Sequence, residues 1–261
     1  MILKTALITG ASSGIGRVFA QELALRQTNL ILVARSQDKL YQLAQELKAQ
    51  TSLQVDVIVQ DLTEPQAGQK VYDQIKDLGQ TVDLLINNAG FGDYGPFAER
   101  NLSQQLNMIQ LNVTVLVELT HLFLAQMQQR GNGGIINVSS IAGFQALPYL
   151  STYSATKAFV LSFTEALWAE NKEKGIHISA LCPGPTESDF FERANFPSTF
   201  ASKDGKGLAS AKAVVKDALN ALENNKSHVV TGGLSNQFIV NVSRFLPREW
   251  LVNAIEKQFR G

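Results

Sequence analysis

The 261-residue sequence predicts an α/β fold: a doubly wound, Rossmann-type sheet of seven parallel strands with helices on both faces, in a single domain. Two observations lead there. Short β-branched and apolar runs alternate with longer amphipathic stretches, the pattern of successive βαβ units. A glycine-rich segment from Gly10 to Gly16 also stands between the first apolar run and the first amphipathic one. There, backbone N–H groups and the positive end of a helix dipole can receive a phosphate.

Taken in order, the first strand is Thr5 to Thr9, and the glycine segment opens a helix from Gly14 to Arg26. Asn29 to Val33 forms the second strand, followed by a helix from Gln37 to Gln50. Gln54 to Val59 is the third strand, with a helix from Gln66 to Leu78, and Leu84 to Asn87 is the fourth. A long helix is expected over Ser103 to Gln129, then a strand over Gly134 to Ser139 and a helix over Thr152 to Lys174. Strands at Ile176 to Cys182 and His228 to Thr231 flank a helix from Ala211 to Asn224. The mixture of Pro, Gly, Ser and Phe in residues 185–210 reads as a flap over the site, and residues 235–261 as a helical tail. In sheets of this kind ligands bind beyond the carboxyl ends of the strands, so the loops that follow strands are where chemistry is sought.

Composition narrows the function. Lys plus Arg and Asp plus Glu number 23 each and are dispersed, so no net field points to nucleic acid. A single cysteine, Cys182, excludes an internal disulfide framework and reads as a buried small hydrophobe. The three scattered histidines, His121, His177 and His228, give no metal-site spacing, so no metal is expected. The N-terminus runs directly into a strand, and no uninterrupted apolar run approaches the ~20 residues that span a bilayer. A cytoplasmic protein is expected.

The glycine turn reads Thr9-Gly10-Ala11-Ser12-Ser13-Gly14-Ile15-Gly16, spaced Gly-x-x-x-Gly-x-Gly rather than the commoner Gly-x-Gly-x-x-Gly. No Lys-Ser or Lys-Thr follows it, so it is not a P-loop. Further along, Tyr153 and Lys157 stand four apart and share a helix face. Alone, such a pair is ordinarily a packed ring beside a solvated charge. A neighbouring cation nevertheless favours an ionised phenol, which suits a tyrosine to acid–base work.

Gly10, Gly14 and Gly16, followed in one chain by Asn87-Asn88-Ala89-Gly90, Ser140 and Tyr153 with Lys157, resemble the short-chain dehydrogenase/reductase family in its compact single-domain branch. The resemblance covers nearly the whole length, and the order and separation of the motifs are far more specific than any one of them. It implies reversible hydride transfer between a nicotinamide and a carbonyl or secondary alcohol. In that reading Tyr153 is the proton donor, and Ser140, thirteen residues before it, holds the carbonyl oxygen in preference to Ser139. Lys157 lowers the tyrosine pKa and holds the nicotinamide ribose, and Asn112 orients a water for proton relay or, more plainly, bonds helix backbone. Asp61 and Leu62 would contact the adenine, Asn88, Ala89 and Gly90 the ribose, and Pro183, Gly184 and Thr186 the nicotinamide side, with Ser188 as a second choice for the carboxamide.

The end of the second strand speaks to the cofactor. Leu32-Val33-Ala34-Arg35-Ser36 carries no carboxylate for a ribose 2′-hydroxyl, whereas Arg35, with Ser12 and Ser36, suits a 2′-phosphate. NADP(H) is therefore expected, unless Arg35 simply faces solvent. Arg17 could serve the same phosphate or be a surface charge. The substrate wall is expected from Ala142, Gly143, Phe144, Leu147, Tyr149, Phe190, Phe191 and Phe196, with Ser140 and Tyr153 at the reacting end. No Arg or Lys clamp stands among them, so a hydrophobic ketone or aldehyde is the natural guest. Reduction of a 3-oxoacyl thioester and a catalytically silent NADP-binding regulator are the alternatives. Epimerases and dehydratases of the longer relatives carry a Gly-x-x-Gly-x-x-Gly turn and a larger C-terminal portion, both missing here.

The tail, through Arg244-Phe-Leu-Pro-Arg248, resembles that of hydroxysteroid and long-chain acyl carbonyl reductases. Leu251, Ala254, Ile255 and Phe259 recur at near-helical spacing. A helix covering the pocket or making a subunit contact is preferred over one lying on a membrane surface. The resemblance further implies a homodimer or homotetramer.

Overall fold

The structure is a computed structural model that describes residues 3–197, 208–242 and 245–260. Its seven strands are β1 (Thr5–Thr9), β2 (Asn29–Ala34), β3 (Val55–Val59), β4 (Leu84–Asn87), β5 (Gly133–Val138), β6 (Ile176–Pro183) and β7 (His228–Thr231). They pair in parallel in the order β3-β2-β1-β4-β5-β6-β7. The chain winds outward from β1 in one direction, returns, and winds outward from β4 in the other. The reversal point therefore lies between β1 and β4, where Leu7 stands beside both Ile31 and Leu85.

The helices are α1 (Gly14–Leu25), α2 (Gln37–Gln50), α3 (Ala67–Asp77), α4 (Leu102–Ile109), α5 (Val115–Arg130), α6 (Ser151–Asn171), α7 (Phe190–Arg193), α8 (Ala211–Glu223), α9 (Leu234–Val242) and α10 (Arg248–Phe259). Strand residues alternate between two apolar layers because successive side chains leave opposite faces. Ala6, Ile8, Leu30 and Leu32 pack on Phe19 and Leu23 of α1, Leu40 and Leu43 of α2 and Val215 and Leu219 of α8. Leu7, Ile31, Val33 and Leu85 pack on Val71 and Ile75 of α3 and Leu119, Phe123 and Met127 of α5. With both faces covered, strands β1 and β2 are buried almost without interruption.

Element boundaries agree with expectation to within three residues, and β1, α2, β4 and β7 coincide with it. The larger difference is in the long helix. Residues 102–130 run continuously, but Gln110–Thr114 between α4 and α5 is a π turn. No Gly or Pro in Gln-Leu-Asn-Val-Thr announces it. Among the described residues this is also the one helix long and apolar enough to cross a membrane, though Leu116, Leu119, Phe123 and Met127 are buried in the protein. Residues 198–207 of the expected flap, and Arg244 of the tail, lie outside the described residues.

Candidate active site

A cavity of about 1540 Å³ opens beyond the carboxyl ends of the strands, running from the β1–α1 turn past Ser140 and Tyr153 to α10. At one end the chain leaves β1 through Gly10 at φ +65°, and a Cβ there would lie 2.9 Å from both the Ala89 Cα and the Asn88 amide nitrogen. A Cβ on Gly16 would lie 2.4 Å from the Gly10 carbonyl oxygen, so the turn folds tightly onto the start of α1. Asn88 braces this turn: its side-chain nitrogen donates to the Thr9 and Gly10 carbonyls at 2.9 and 3.3 Å, while the Thr9 hydroxyl accepts from the Asn88 and Ala89 N–H groups, each at 3.0 Å. Gly10, Ser12, Ser13, Gly14 and Ile15 line the cavity, while Gly16 is packed behind it.

Arg35 and Ser36 reach the same end of the cavity from β2, as do Asp61 and Leu62 from beyond β3. Arg35 is exposed, whereas Arg17 is taken by an ion pair with Glu46. Burial pushes the Asp61 carboxyl up, but hydrogen bonds from the Thr63 N–H and hydroxyl, with the charge of Arg35, outweigh it and hold the group below its usual value.

The middle of the cavity holds Ser140, Tyr153 and Lys157. Ser140, two residues beyond β5, caps the 3-10 turn Ile141–Phe144, its oxygen accepting from the Ala142 N–H at 3.1 Å. The Ser140 hydroxyl donates to the Pro183 carbonyl at 3.4 Å, and its presence beside the Tyr153 phenol favours the ionised ring. Ser139 is occupied elsewhere, donating to the Lys157 carbonyl at 2.7 Å. Tyr153 and Lys157 lie on one face of α6, with the ammonium 5.7 Å from the ring centroid and donating to the Val138 carbonyl at 2.8 Å.

Burial dominates the titration of both groups: it pushes Tyr153 up to about 12 against the opposing influence of Ser140, and pushes Lys157 down to about 8. Burial sets the direction of both shifts, with Ser140 alone opposing it at Tyr153 and Cys182 alone at Lys157. The phenol is held as an acid.

Three other expected residues are placed differently. Asn112, buried in the π turn, accepts from the Phe91 N–H at 3.1 Å and donates to the Phe91 carbonyl at 3.0 Å and to Thr156 at 3.1 Å. It holds the loop after β4 and does not line the cavity. Phe144 turns away to pack with Leu161, Ala180 and Cys182, its ring 6.0 Å from that of His228. Tyr149 adopts φ +65°, stacks on Tyr94 and donates to Glu256 of α10 at 3.2 Å, so its ring supports the tail rather than facing a substrate.

Pro183, Gly184 and Thr186 line the cavity, and Thr186 donates to the Gly184 carbonyl at 2.9 Å. Beyond them α7 forms an aromatic roof, with Phe190 5.3 Å from the Tyr153 ring and Phe191 and Phe196 packed on Phe190 or on each other. The tail closes the far end: Leu251, Ala254, Ile255 and Phe259 of α10 line the cavity, and the Phe259 carbonyl accepts from the Tyr94 hydroxyl. Of the readings open for the tail, a helix over the pocket is the arrangement found. Residues missed in sequence include Asn236, which reaches in from α9, and Asp93, which ties the flap to the loop after β4; only the near-helical spacing in the tail hinted at this architecture.

The family model described as short chain dehydrogenase matches residues 4–197. The chain belongs to the short-chain dehydrogenase family. It is an oxidoreductase of the kind that acts on keto and hydroxyl groups. A ketoacyl reductase of Nostoc sp. strain PCC 7120 is 33% identical over 230 residues, covering 87% of this chain and 78% of the relative. Mouse 17-beta-hydroxysteroid dehydrogenase type 3 is 37% identical over 182 residues, 68% of this chain, and only 58% of that protein's length is matched. Among solved structures, a short-chain dehydrogenase from Sphingobium yanoikuyae in complex with NADPH superimposes with a TM-score of 0.82 at 31% identity, covering 93% of this short-chain dehydrogenase and 94% of the other.

Proposed function

We propose that this short-chain dehydrogenase is an NADP(H)-dependent carbonyl reductase or alcohol dehydrogenase for a hydrophobic ketone or aldehyde. The observation that carries the proposal is one cavity with two unlike halves, meeting at Ser140, Tyr153 and Lys157. The first half is the glycine turn with Arg35, and it fits a dinucleotide: Gly10 and Gly16 leave no room for side chains, and the start of α1 offers free N–H groups. Arg35, with no carboxylate at the end of β2, supports a 2′-phosphate and hence NADP(H), as does the NADPH bound to the Sphingobium neighbour.

When bound, the nicotinamide supplies or accepts the hydride at the carbonyl carbon. Tyr153, protonated through the neutral range, gives its phenolic proton to the carbonyl oxygen during reduction and takes it back during oxidation. Ser140, which lines the cavity beside Tyr153, donates to the same oxygen and sets its position. Lys157 presents its ammonium beside the ring for the ribose hydroxyls. Asn112 keeps the loop after β4 in place, and through it the wall facing Lys157.

The second half is walled by Leu147, Leu150, Phe190, Phe196, Leu251 and Ile255 and supports an apolar guest. The name of the Nostoc relative favours 3-oxoacyl thioesters as the second reading, whereas a silent regulator is disfavoured by the intact Ser140, Tyr153 and Lys157 set. A homo-oligomer in the cytoplasm completes the proposal. Leu102, Leu106 and Ile109 of α4 and Phe159 of α6 are exposed large apolar side chains of the kind a subunit contact covers. A panel of ketones, aldehydes, steroids and acyl thioesters, followed by nicotinamide absorbance with NADPH and NADH in parallel, tests the reading. Turnover of apolar ketones with NADPH is expected; turnover restricted to charged or sugar carbonyls would refute the substrate class.

A further inference from the structure

We propose that Arg193, on the flap, binds the pyrophosphate of the dinucleotide and so latches the flap onto the glycine turn. This rests on the dinucleotide reading given above. Among the described residues lining the cavity the cations are Arg35, Arg193 and Lys157. Arg35 stands at the end of β2 and Lys157 beside Tyr153, which leaves Arg193 as the cation next to the glycine turn. The turn itself contributes N–H groups and hydroxyls but no fixed positive side chain, and the nearby Arg17 is committed to Glu46.

The geometry places Arg193 for this contact. Its Nη1 donates to the Ser13 hydroxyl at 3.4 Å, across 180 residues of sequence. A Cβ on Gly14 would lie 3.4 Å from the Ser188 Cβ, so the flap already rests on the turn. Beyond α7 the backbone is pinned, since the Tyr94 N–H donates to the Ala194 carbonyl at 2.8 Å and Asn195 donates to the buried Asp93 carboxylate at 3.2 Å. The backbone at 193 is therefore held beside the turn.

The present partner of Arg193 is Asp189, at 2.8 Å, but that pair is about half-exposed on both sides, 52% and 56%. Such pairs contribute little and exchange readily. A diphosphate offers the planar guanidinium two acceptor oxygens and more charge than one carboxylate, so the fork would turn from Asp189 and Ser13 to the anion. Because Phe190 lies on the same short helix, packed on the Tyr153 ring, the latch ties cofactor binding to the hold on the aromatic roof.

The test is calorimetric binding of NADPH, NADH and adenosine 2′-monophosphate to the wild type and to Arg193→Gln, Arg193→Lys and Arg35→Gln, over a series of salt concentrations. Arg193→Gln is expected to weaken NADPH and NADH alike by about tenfold, to leave the monophosphate within about twofold, and to reduce the salt dependence of dinucleotide binding. Arg193→Lys should recover part of the loss, and Arg35→Gln should weaken NADPH and the monophosphate but spare NADH. Wild-type affinity for both dinucleotides in Arg193→Gln would overturn the proposal, as would an equal loss for the monophosphate. A wild type that binds neither dinucleotide would refute the dinucleotide reading, and the latch with it.

Discussion

Asn195 donates to the fully buried carboxylate of Asp93 at 3.2 Å, joining the flap to the loop after β4 across 102 residues of sequence. The same carboxylate is clasped by the Arg100 guanidinium and accepts from Gln105 at 2.7 Å. Both carboxylate oxygens are thus satisfied, and one of their four bonds ties the flap that carries the aromatic roof to this buried network.

Asp93→Asn should destabilise the protein by about 2 kcal/mol, because the Arg100 charge loses its buried partner while remaining partly solvated. Urea unfolding measures this. An unchanged midpoint would mean that the network is incidental.

Gly16→Ala places a methyl group 2.4 Å from the Gly10 carbonyl, and both atoms belong to a constrained turn. A loss of about 2 kcal/mol in stability and about tenfold in dinucleotide affinity is expected. Thermal melts with and without NADPH would report both, and a variant that melts and binds as the wild type does would contradict the tight packing of the turn.

Lys157 supplies a pH signature. Burial lowers its folded pKa to about 8 from an unfolded value near 10.5, so between those limits the unfolded chain binds more protons and stability rises with pH. Below about 8 the buried charge is fully present and its cost is constant. Lys157→Met should be relatively more stable at pH 7 than at pH 10 when compared with the wild type, as read by melting temperature. A difference independent of pH would show that the ammonium is not desolvated.

Much of this architecture is legible in the sequence, because parallel strands buried on both faces leave unbroken apolar runs and the glycine spacing reports a turn with no room for side chains. Ser140, Tyr153 and Lys157 were legible for a similar reason: helical spacing and strand ends constrain where their side chains go. The misplaced residues lack any such local constraint. Tyr149 faces α10 because its backbone is left-handed, Phe144 follows a 3-10 turn away from the cavity, and Asn112 sits in a π turn that local composition does not announce. The partners of Asp93, Tyr94 and Arg193 depend on contacts between distant segments, which periodicity does not encode.

Arg35→Gln tests cofactor choice. With its guanidinium exposed at the end of β2, its removal should reduce the preference for NADPH over NADH by about tenfold, mostly through KM. An unaltered preference in steady-state kinetics would assign the 2′-phosphate to other residues.

The central claim is that Tyr153 exchanges a proton with the carbonyl oxygen while the dinucleotide is held by other groups. The most direct measurement is single-turnover reduction of an apolar ketone by Tyr153→Phe, followed by NADPH absorbance, together with the NADPH dissociation constant of the same variant. Turnover should fall by about a thousandfold, with affinity for NADPH within about twofold of the wild type. Reduction by Tyr153→Phe at the wild-type rate would contradict the account.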